Sequence, residues 1–171
     1  QGRALTVTNA NGIVTRSDYD GNGRVTRLTV DPSGLNLRTD YTFDADGHSL
    51  TVTEAAGTPQ ARTTEYRYDT LGRRTREIRD PSNAATGYIG LNLTTVYSYD
   101  DNDNLIAKVD GQGTTAARTT RYVYDAHNRL TFTIDALGNV TESVYDANGN
   151  RLATVEYGTL LTTAVTVLET V

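Results

Sequence analysis

The chain has 171 residues, a formal net charge of -5, and 16 basic against 21 acidic side chains. That balance excludes a phosphate-backbone partner, whose affinity rests on clustered Lys and Arg; here only Lys108 is Lys and the Arg residues are dispersed. The lack of Cys removes disulfides and thiol chemistry without deciding the compartment, and no apolar run approaches the roughly eighteen residues of a membrane helix.

Taken in order, one short pattern returns along the whole chain. It reads Ser17-Asp18-Tyr19-Asp20, Tyr41-Thr42-Phe43-Asp44, Tyr66-Arg67-Tyr68-Asp69, Tyr97-Ser98-Tyr99-Asp100, Tyr122-Val123-Tyr124-Asp125 and Ser143-Val144-Tyr145-Asp146, its marker Asp recurring at intervals of 24, 25, 31, 25 and 21 residues. Internal repetition of this kind sets the architecture before any local propensity does. Aromatic residues at i and i+2 share one face of a strand, while Arg67, Ser98 or Val123 points the other way. The Gly, Asn, Asp and His that follow each Asp tolerate left-handed backbone or bond their own turn, so they close a hairpin. A second strand comes next, with Leu130, Phe132 and Ile134 alternating against Thr131 and Thr133, and Asp135-Ala136-Leu137-Gly138-Asn139 turns the chain again.

Strand, turn, strand, turn at such short spacing predicts an all-β chain of antiparallel hairpins, because parallel strands would need long crossovers. Strands are expected at 16–20, 24–30, 39–43, 50–54, 62–68, 74–79, 94–99, 105–109, 118–124, 130–134, 140–145 and 152–157, with helix nearly absent. Residues 5–12 read as the second half of a preceding unit, and residues 157–169 alternate as a further strand. The whole of 1–171 is read as a single array of about six units. A start at Gln1 with no Met reads as a processed or excised end, and the array is expected to be part of a longer chain.

Two expansions, at 54–60 and 80–90, interrupt the rhythm between units and need only longer surface loops. The near-duplicates Ala61-Arg62-Thr63-Thr64-Glu65-Tyr66 and Ala117-Arg118-Thr119-Thr120-Arg121-Tyr122, offset by 56, indicate that a two-unit block was copied whole. With about thirty Thr and 11 Tyr, cross-strand pairs rather than a thick aliphatic core must hold the sheet. The tyrosines are expected to stack as a ladder at strand spacing, with Tyr68, Tyr99, Tyr124 and Tyr145 at equivalent, substantially buried positions.

Chemistry is sparse. Asp100-Asp101-Asn102-Asp103-Asn104 resembles the opening of a calcium loop, but Leu105 stands where Gly is required and Gly111 where Glu is required, so neither metal nor cofactor is assigned. His48 and His127 read as turn residues, and the recurring Asp prevents any acid–base pair from being singled out. Arg73, Arg74, Arg76 and Arg79 read as a solvated sheet face. Asn92-Leu93-Thr94 and Asn139-Val140-Thr141 are formal glycosylation sequons, best explained by β-propensity. No catalytic set emerges, and the chain is not expected to be an enzyme.

Tyr-x-Tyr-Asp, followed by Gly or Asn, a basic or polar residue, then Leu or Val, resembles the YD repeats of the RHS family. That family includes bacterial polymorphic toxins and the C component of Tc insecticidal toxins, with animal teneurins as relatives. The likeness covers about residues 9–156, with Ser17 and Ser143 replacing the first Tyr, Phe43 the second, and Arg74 standing where Leu130 stands. Asp31-Pro32-Ser33-Gly34-Leu35 resembles the start of the family's self-cleaving core sequence, but the rest of that motif is missing. The resemblance implies a curved antiparallel sheet of repeated β-hairpins, a shell or spiral segment that encloses or displays a toxin. The alternative is a secreted or cell-surface adhesive or filament-forming module binding glycans or neighbouring copies. Its sheet edges would pair with further repeats of the same chain or with head-to-tail copies. Tyr19, Asp20, Tyr41, Phe43, Asp44, Tyr66, Tyr68, Asp69, Tyr97, Tyr99, Asp100, Tyr122, Tyr124, Asp125, Tyr145 and Asp146 would be the scaffold of the repeats.

Overall fold

The computed structural model describes residue 3 and residues 5–83, 86–87 and 89–158. Among them there is no helix and there are thirteen strands. These are β1 (Thr6–Thr8), β2 (Val14–Tyr19), β3 (Val25–Val30), β4 (Leu37–Phe43), β5 (Ser49–Glu54), β6 (Arg62–Tyr68), β7 (Arg74–Arg79), β8 (Leu93–Tyr99), β9 (Leu105–Asp110), β10 (Arg118–Tyr124), β11 (Leu130–Ile134), β12 (Val140–Tyr145) and β13 (Arg151–Tyr157). The chain divides into two compact units, Gln1–Thr94 and Thr95–Val171. Within the first, β1 to β7 follow chain order, each strand antiparallel to the next. Within the second, β8 to β13 do the same. All twelve expected strands are present to within two residues, β1 fills the expected half-unit, and the strand expected beyond residue 158 lies outside the described residues.

Each hairpin tip closes in one way. At Asp69 the backbone N–H donates to the Arg73 carbonyl and the Asp69 carbonyl accepts from Gly72, both at 3.0 Å. The third residue after the marker is left-handed in every copy, Gly23 at φ 84°, Gly47 at 98°, Gly72 at 79°, Asp103 at 66°, Asn128 at 59° and Gly149 at 85°. That is why Gly, Asn and Asp alone fill it. The register then slips by one residue, as between Arg67 and Tyr68, a β-bulge that strengthens the local twist.

Loops between units come in two alternating kinds. Asp31-Pro32-Ser33-Gly34-Leu35-Asn36 after β3 and Asp80-Pro81-Ser82 with Gly90-Leu91-Asn92 after β7 are one loop, the second carrying seven extra residues, 83–89. Asp31 and Asn36 (φ 51° and 49°) match Asp80 and Asn92 (53° and 51°). In both, the Asp carboxylate accepts the N–H of the Leu at 2.9 Å. The other kind follows β5 and β9, where Thr58 and Thr114 each donate a hydroxyl to the carbonyl three residues back at 2.7 Å. The copied block is thus real in the backbone, and the seven spliced residues account for the 31-residue interval. Asp135 is different: its N–H bonds the Asn139 carbonyl at 3.0 Å and Gly138 sits at φ 88°, so this link is built like a hairpin tip and not like the Asp31 loop.

Among the described residues there is no thick core: Ala56, Ile78 and Thr29 are the buried ones, and none is buried completely. Tyr68, Tyr99, Tyr124 and Tyr145 are therefore half-buried rather than substantially buried, since no second layer covers them. Register assigns the two faces. On the tyrosine face of the first unit, Leu28, Val30 and Val52 lie opposite Ser17, Thr15 and Tyr41. Its reverse face is mostly polar, pairing Arg27 with Asp40, Asp40 with Thr53, and Thr53 with Thr63, with the buried Ile78 opposite Glu65. Arg27 reaches Asp40 at 2.9 Å, Arg38 bonds the same carboxylate, and Thr42 and Thr51 share a hydroxyl bond of 2.7 Å. In the second unit the arrangement is inverted. Its tyrosine face pairs Tyr97 with Lys108, Tyr122 with Thr133 and Thr133 with Thr141. Its reverse face pairs Val96 with Val109, Val123 with Phe132, Ile134 with Val140, and Val144 with Ala153.

Candidate functional site

The candidate site is the junction between consecutive units, and the marker Asp builds it. Its Oδ1 accepts backbone N–H groups of its own turn: at Asp125 from His127 at 2.9 Å and from Arg129 at 3.0 Å, at Asp146 from Asn148 at 2.9 Å and from Asn150 at 2.8 Å, and at Asp44 from His48 alone at 2.8 Å. Its Oδ2 holds the side chain four residues on: Arg24 on Asp20 at 2.7 Å, His48 on Asp44 at 2.9 Å, Arg73 on Asp69 at 2.8 Å, Asn104 on Asp100 at 2.9 Å, Arg129 on Asp125 at 2.7 Å and Asn150 on Asp146 at 2.9 Å. A carboxylate accepting three bonds favours its charged form. The Arg24 backbone N–H and guanidinium hold Asp20 below the ordinary carboxylate value, and Arg129 does so for Asp125. At Asp44 and Asp69 partial burial pushes the other way, but the bonds from His48 and Arg73 outweigh it.

The held side chain then reaches the next unit. Arg24 lies over the Phe43 ring at 4.8 Å and donates to the Asp44 carbonyl at 2.8 Å. Arg129 lies over Tyr145 at 4.9 Å and donates to the Asp146 carbonyl at 3.1 Å. His48 stacks on Tyr68 with ring centroids 4.7 Å apart. In return, the tyrosine hydroxyl donates backward to the strand that leaves the previous turn: Tyr68 to the Ser49 carbonyl at 2.9 Å, Tyr124 to Leu105 at 3.1 Å and Tyr145 to Leu130 at 2.9 Å. The junction is a latch built from a clamped donor, an aromatic ring and, where the ring is tyrosine, a hydroxyl; Phe43 carries Arg24 without one, and Asn104 donates to the Asn128 side chain at 2.9 Å.

The latch corrects the expected ladder. Tyrosines recur on every second strand, roughly 9.6 Å apart at a strand spacing of about 4.8 Å, too far for ring on ring. The side chain after the turn fills the gap. Sequence reading placed polar residues there but missed this role, although a donor at a fixed distance of four from every Asp was the available signal.

The remaining aromatic positions sit deeper along the same strands. Tyr41 lies opposite Val52, Tyr97 opposite Lys108 and Tyr122 opposite Thr133, while Tyr99 faces Leu105 across its bulge. Tyr66 lies under Arg74 at 4.6 Å, and Arg3 approaches Tyr19 at 5.6 Å. The expected solvated Arg face is split: Arg73 belongs to the Asp69 turn, Arg74 and Arg79 flank Glu77, and Arg76 lies opposite Arg67. His127 caps its turn through its backbone, whereas His48 is a latch residue. Asp44, Asp46 and His48 bring their ligand atoms within 4.8 Å of one another beside an open groove of about 650 Å³, but the His48 Nδ1 and Asp44 Oδ2 are already engaged with each other. The sequon residue Asn92 donates its amide to Ser82 at 2.7 Å, and Asn139 donates to Asp135 at 2.7 Å.

The sequence matches the family described as RHS Repeat at residues 1–36, 99–140 and 124–160. No curated protein matches it. Among solved structures, it is similar to a crystal structure of TcdB2-TccC3-Cdc42, at 15% identity over 83% of this chain and 7% of that one, with a TM-score of 0.67. A crystal structure of TcdB2-TccC3 without the hypervariable C-terminal region matches at 17% identity over 89% of this chain and 10% of that one, with a TM-score of 0.54. One of TcdB2-TccC3-TEV matches at 17% identity over 84% and 9%, with a TM-score of 0.51. The chain spans a tenth or less of the length of these solved chains.

Proposed function

Because the chain belongs to the RHS-repeat family, we propose that it is a wall segment of a β-shell that encloses or displays a toxin segment. The observation that supports this reading is the latch. The same junction recurs with Arg, His or Asn as the clamped donor and with Tyr or Phe as the ring, which is the tolerance of a structural repeat. We propose that the marker Asp and aromatic residues, from Tyr19 and Asp20 to Tyr145 and Asp146, are the scaffold of that wall. Each unit is secured to the next one along, so its partners are further repeats of the same chain together with the enclosed segment. Such a wall belongs to a secreted or surface-exposed protein. Among the described residues no helix is long and apolar enough to cross a membrane. Limited proteolysis of the full-length protein tests the reading. A segment outside the repeats should resist cleavage until the repeats unfold; cleavage of that segment at the same rate before and after the repeats are denatured overturns it.

A further inference from the structure

Three exposed Asn residues precede Gly on hairpin tips, at Asn11-Gly12, Asn22-Gly23 and Asn148-Gly149. An Asn-Gly pair is prone to deamidation, because glycine has no Cβ to hinder attack of its backbone nitrogen on the preceding side-chain amide. In that reaction the Gly nitrogen loses its proton and bonds the Asn Cγ, the Cγ–Nδ2 bond breaks and ammonia leaves. Water then opens the succinimide ring at either carbonyl, giving aspartate or isoaspartate. A closed tip resists the attack: Gly12, Gly23 and Gly149 donate their N–H to the carbonyl three residues back at 3.0, 3.0 and 3.1 Å. The nitrogen is engaged until the tip opens, so conversion follows the open fraction.

The three tips are not held equally. Ala10-Asn11-Gly12 and Ala147-Asn148-Gly149 are the same tripeptide in the same backbone turn, yet Asn9 stands where the other tip carries Asp146. The neutral Asn9 Oδ1 accepts the N–H of Asn11 and of Ile13, both at 3.0 Å. The Asp146 carboxylate accepts the N–H of Asn148 at 2.9 Å, that of Asn150 at 2.8 Å and the Asn150 amide at 2.9 Å. Bonds to a charged acceptor are about twice as strong as neutral ones. Ile13, which is 42% exposed, has no polar side-chain atom to make the third bond. The strands add to the difference, since β1 pairs with β2 over three residues, all exposed, and β13 pairs with β12 over six. Asn22 is held most firmly: Asp20 takes the Arg24 guanidinium at 2.7 Å, Arg24 reaches the Asp44 carbonyl, and the Arg3 guanidinium lies against Gly23. We infer that Asn11 is a deamidation site, converting through its opened tip to aspartate and isoaspartate, and that the marker carboxylates keep Asn22 and Asn148 intact. Isoaspartate adds a methylene to the backbone of the turn, so the change loosens the β1–β2 hairpin.

Peptide mapping by mass spectrometry of the full-length protein, aged in mildly alkaline heavy-oxygen water, measures conversion at each Asn, and electron-transfer fragmentation separates isoaspartate from aspartate. Asn11 should convert about tenfold faster than Asn148, the ratio expected for opening equilibria that differ by one charge-assisted bond. In urea the two identical tripeptides should convert at rates within about twofold of each other. Asn9→Asp with Ile13→Asn rebuilds the hold of the Asp146 tip around Asn11 and should slow its conversion by about tenfold. The reverse exchange, Asp146→Asn with Asn150→Ile, should speed conversion of Asn148 by about the same factor. Far-UV circular dichroism checks folding, and if the reverse exchange fails to fold, the first exchange and the unsubstituted protein decide. Equal rates at Asn11 and Asn148 in the folded protein, or an unchanged rate at Asn11 in the folded Asn9→Asp, Ile13→Asn variant, overturns the inference. So does full protection of Asn11 in the folded protein over a period that converts the unfolded chain, since its tip would then be closed as firmly as the others.

Discussion

The two units keep one junction and exchange their faces. In both, a marker Asp clamps a donor four residues on and a tyrosine hydroxyl bonds backward across the strands, as Tyr68 does to Ser49 and Tyr145 to Leu130. Yet Leu28, Val30 and Val52 sit with the tyrosines in the first unit, whereas Val123, Phe132, Ile134 and Val144 sit behind them in the second. Turns and latches therefore specify the strand order, while the surface between them is free to serve a purpose. Consistency at the junction gives the array its register, and variation on the faces costs little in a sheet with no second layer.

If that division is right, substitutions in the kept parts are expensive and those on the exchanged faces are cheap. The largest effect is expected at Gly90, in the loop shared with Gly34, where an added Cβ would lie 2.1 Å from the Asp80 carbonyl oxygen. Backbone must move to admit it, so Gly90→Ala should cost about 3 kcal/mol in urea unfolding. A cost under about 0.5 kcal/mol would show that the loop is not held in its observed form. Next comes the latch. Tyr145→Phe keeps the ring under Arg129 and removes only the hydroxyl bond, which is worth about 1 kcal/mol. Phe43 already lacks that hydroxyl and still carries Arg24, so a much larger loss would mean that the hydroxyl outweighs the stacked pair.

Acid should separate the units. Asp40 on the reverse face of the first unit is held down to about 2, by the Arg38 side chain first and Arg27 after it. A carboxylate whose pKa is depressed on folding contributes stability above its unfolded value, and that contribution is lost as pH falls through the folded value. The window is therefore from about pH 4 down to about 2, and after allowance for solvent screening the loss is about 1 kcal/mol. The reverse face of the second unit has no acid among its described residues except Glu142, which shares a proton-bearing contact with the Tyr157 hydroxyl. Thermal melts followed by amide signals of Thr29 and Phe132 should diverge across that window. Parallel melting at every pH would show that Asp40 contributes nothing particular to its unit.

Much of this was legible from period and turn chemistry. Aromatics at i and i+2 before Asp fixed β6 and β10 to the residue, because the marker ends each strand by bonding its own turn. The latch was not legible. Its partners lie 15 to 20 residues apart, as with Arg24 and the Asp44 carbonyl or Tyr145 and Leu130, and only strand pairing brings them together. Half-burial of the tyrosines was missed because period two reports which face a ring takes and says nothing about whether a second layer covers it. The difference between the faces lies in the offset from the marker, Leu28 and Val52 standing eight residues after theirs and Phe132 seven, and it becomes a difference of face only through the strand register.

The smallest effect is the most direct probe of the comparison. Thr42 and Thr51 lie opposite each other on the reverse face of the first unit and share one hydroxyl bond. Replacing both by Val gives this patch the chemistry that Val123 and Phe132 have in the second unit, while keeping β-branched side chains and strand propensity. Removing both partners of an exposed bond leaves no orphaned polar atom, so the pair Thr42→Val and Thr51→Val should change unfolding stability by less than about 0.5 kcal/mol. Single substitutions leave one hydroxyl with solvent as its partner and should fall in the same range. A loss above about 1 kcal/mol in the double variant would mean that the polar reverse face of the first unit is part of what holds the sheet, and that the two faces are not interchangeable.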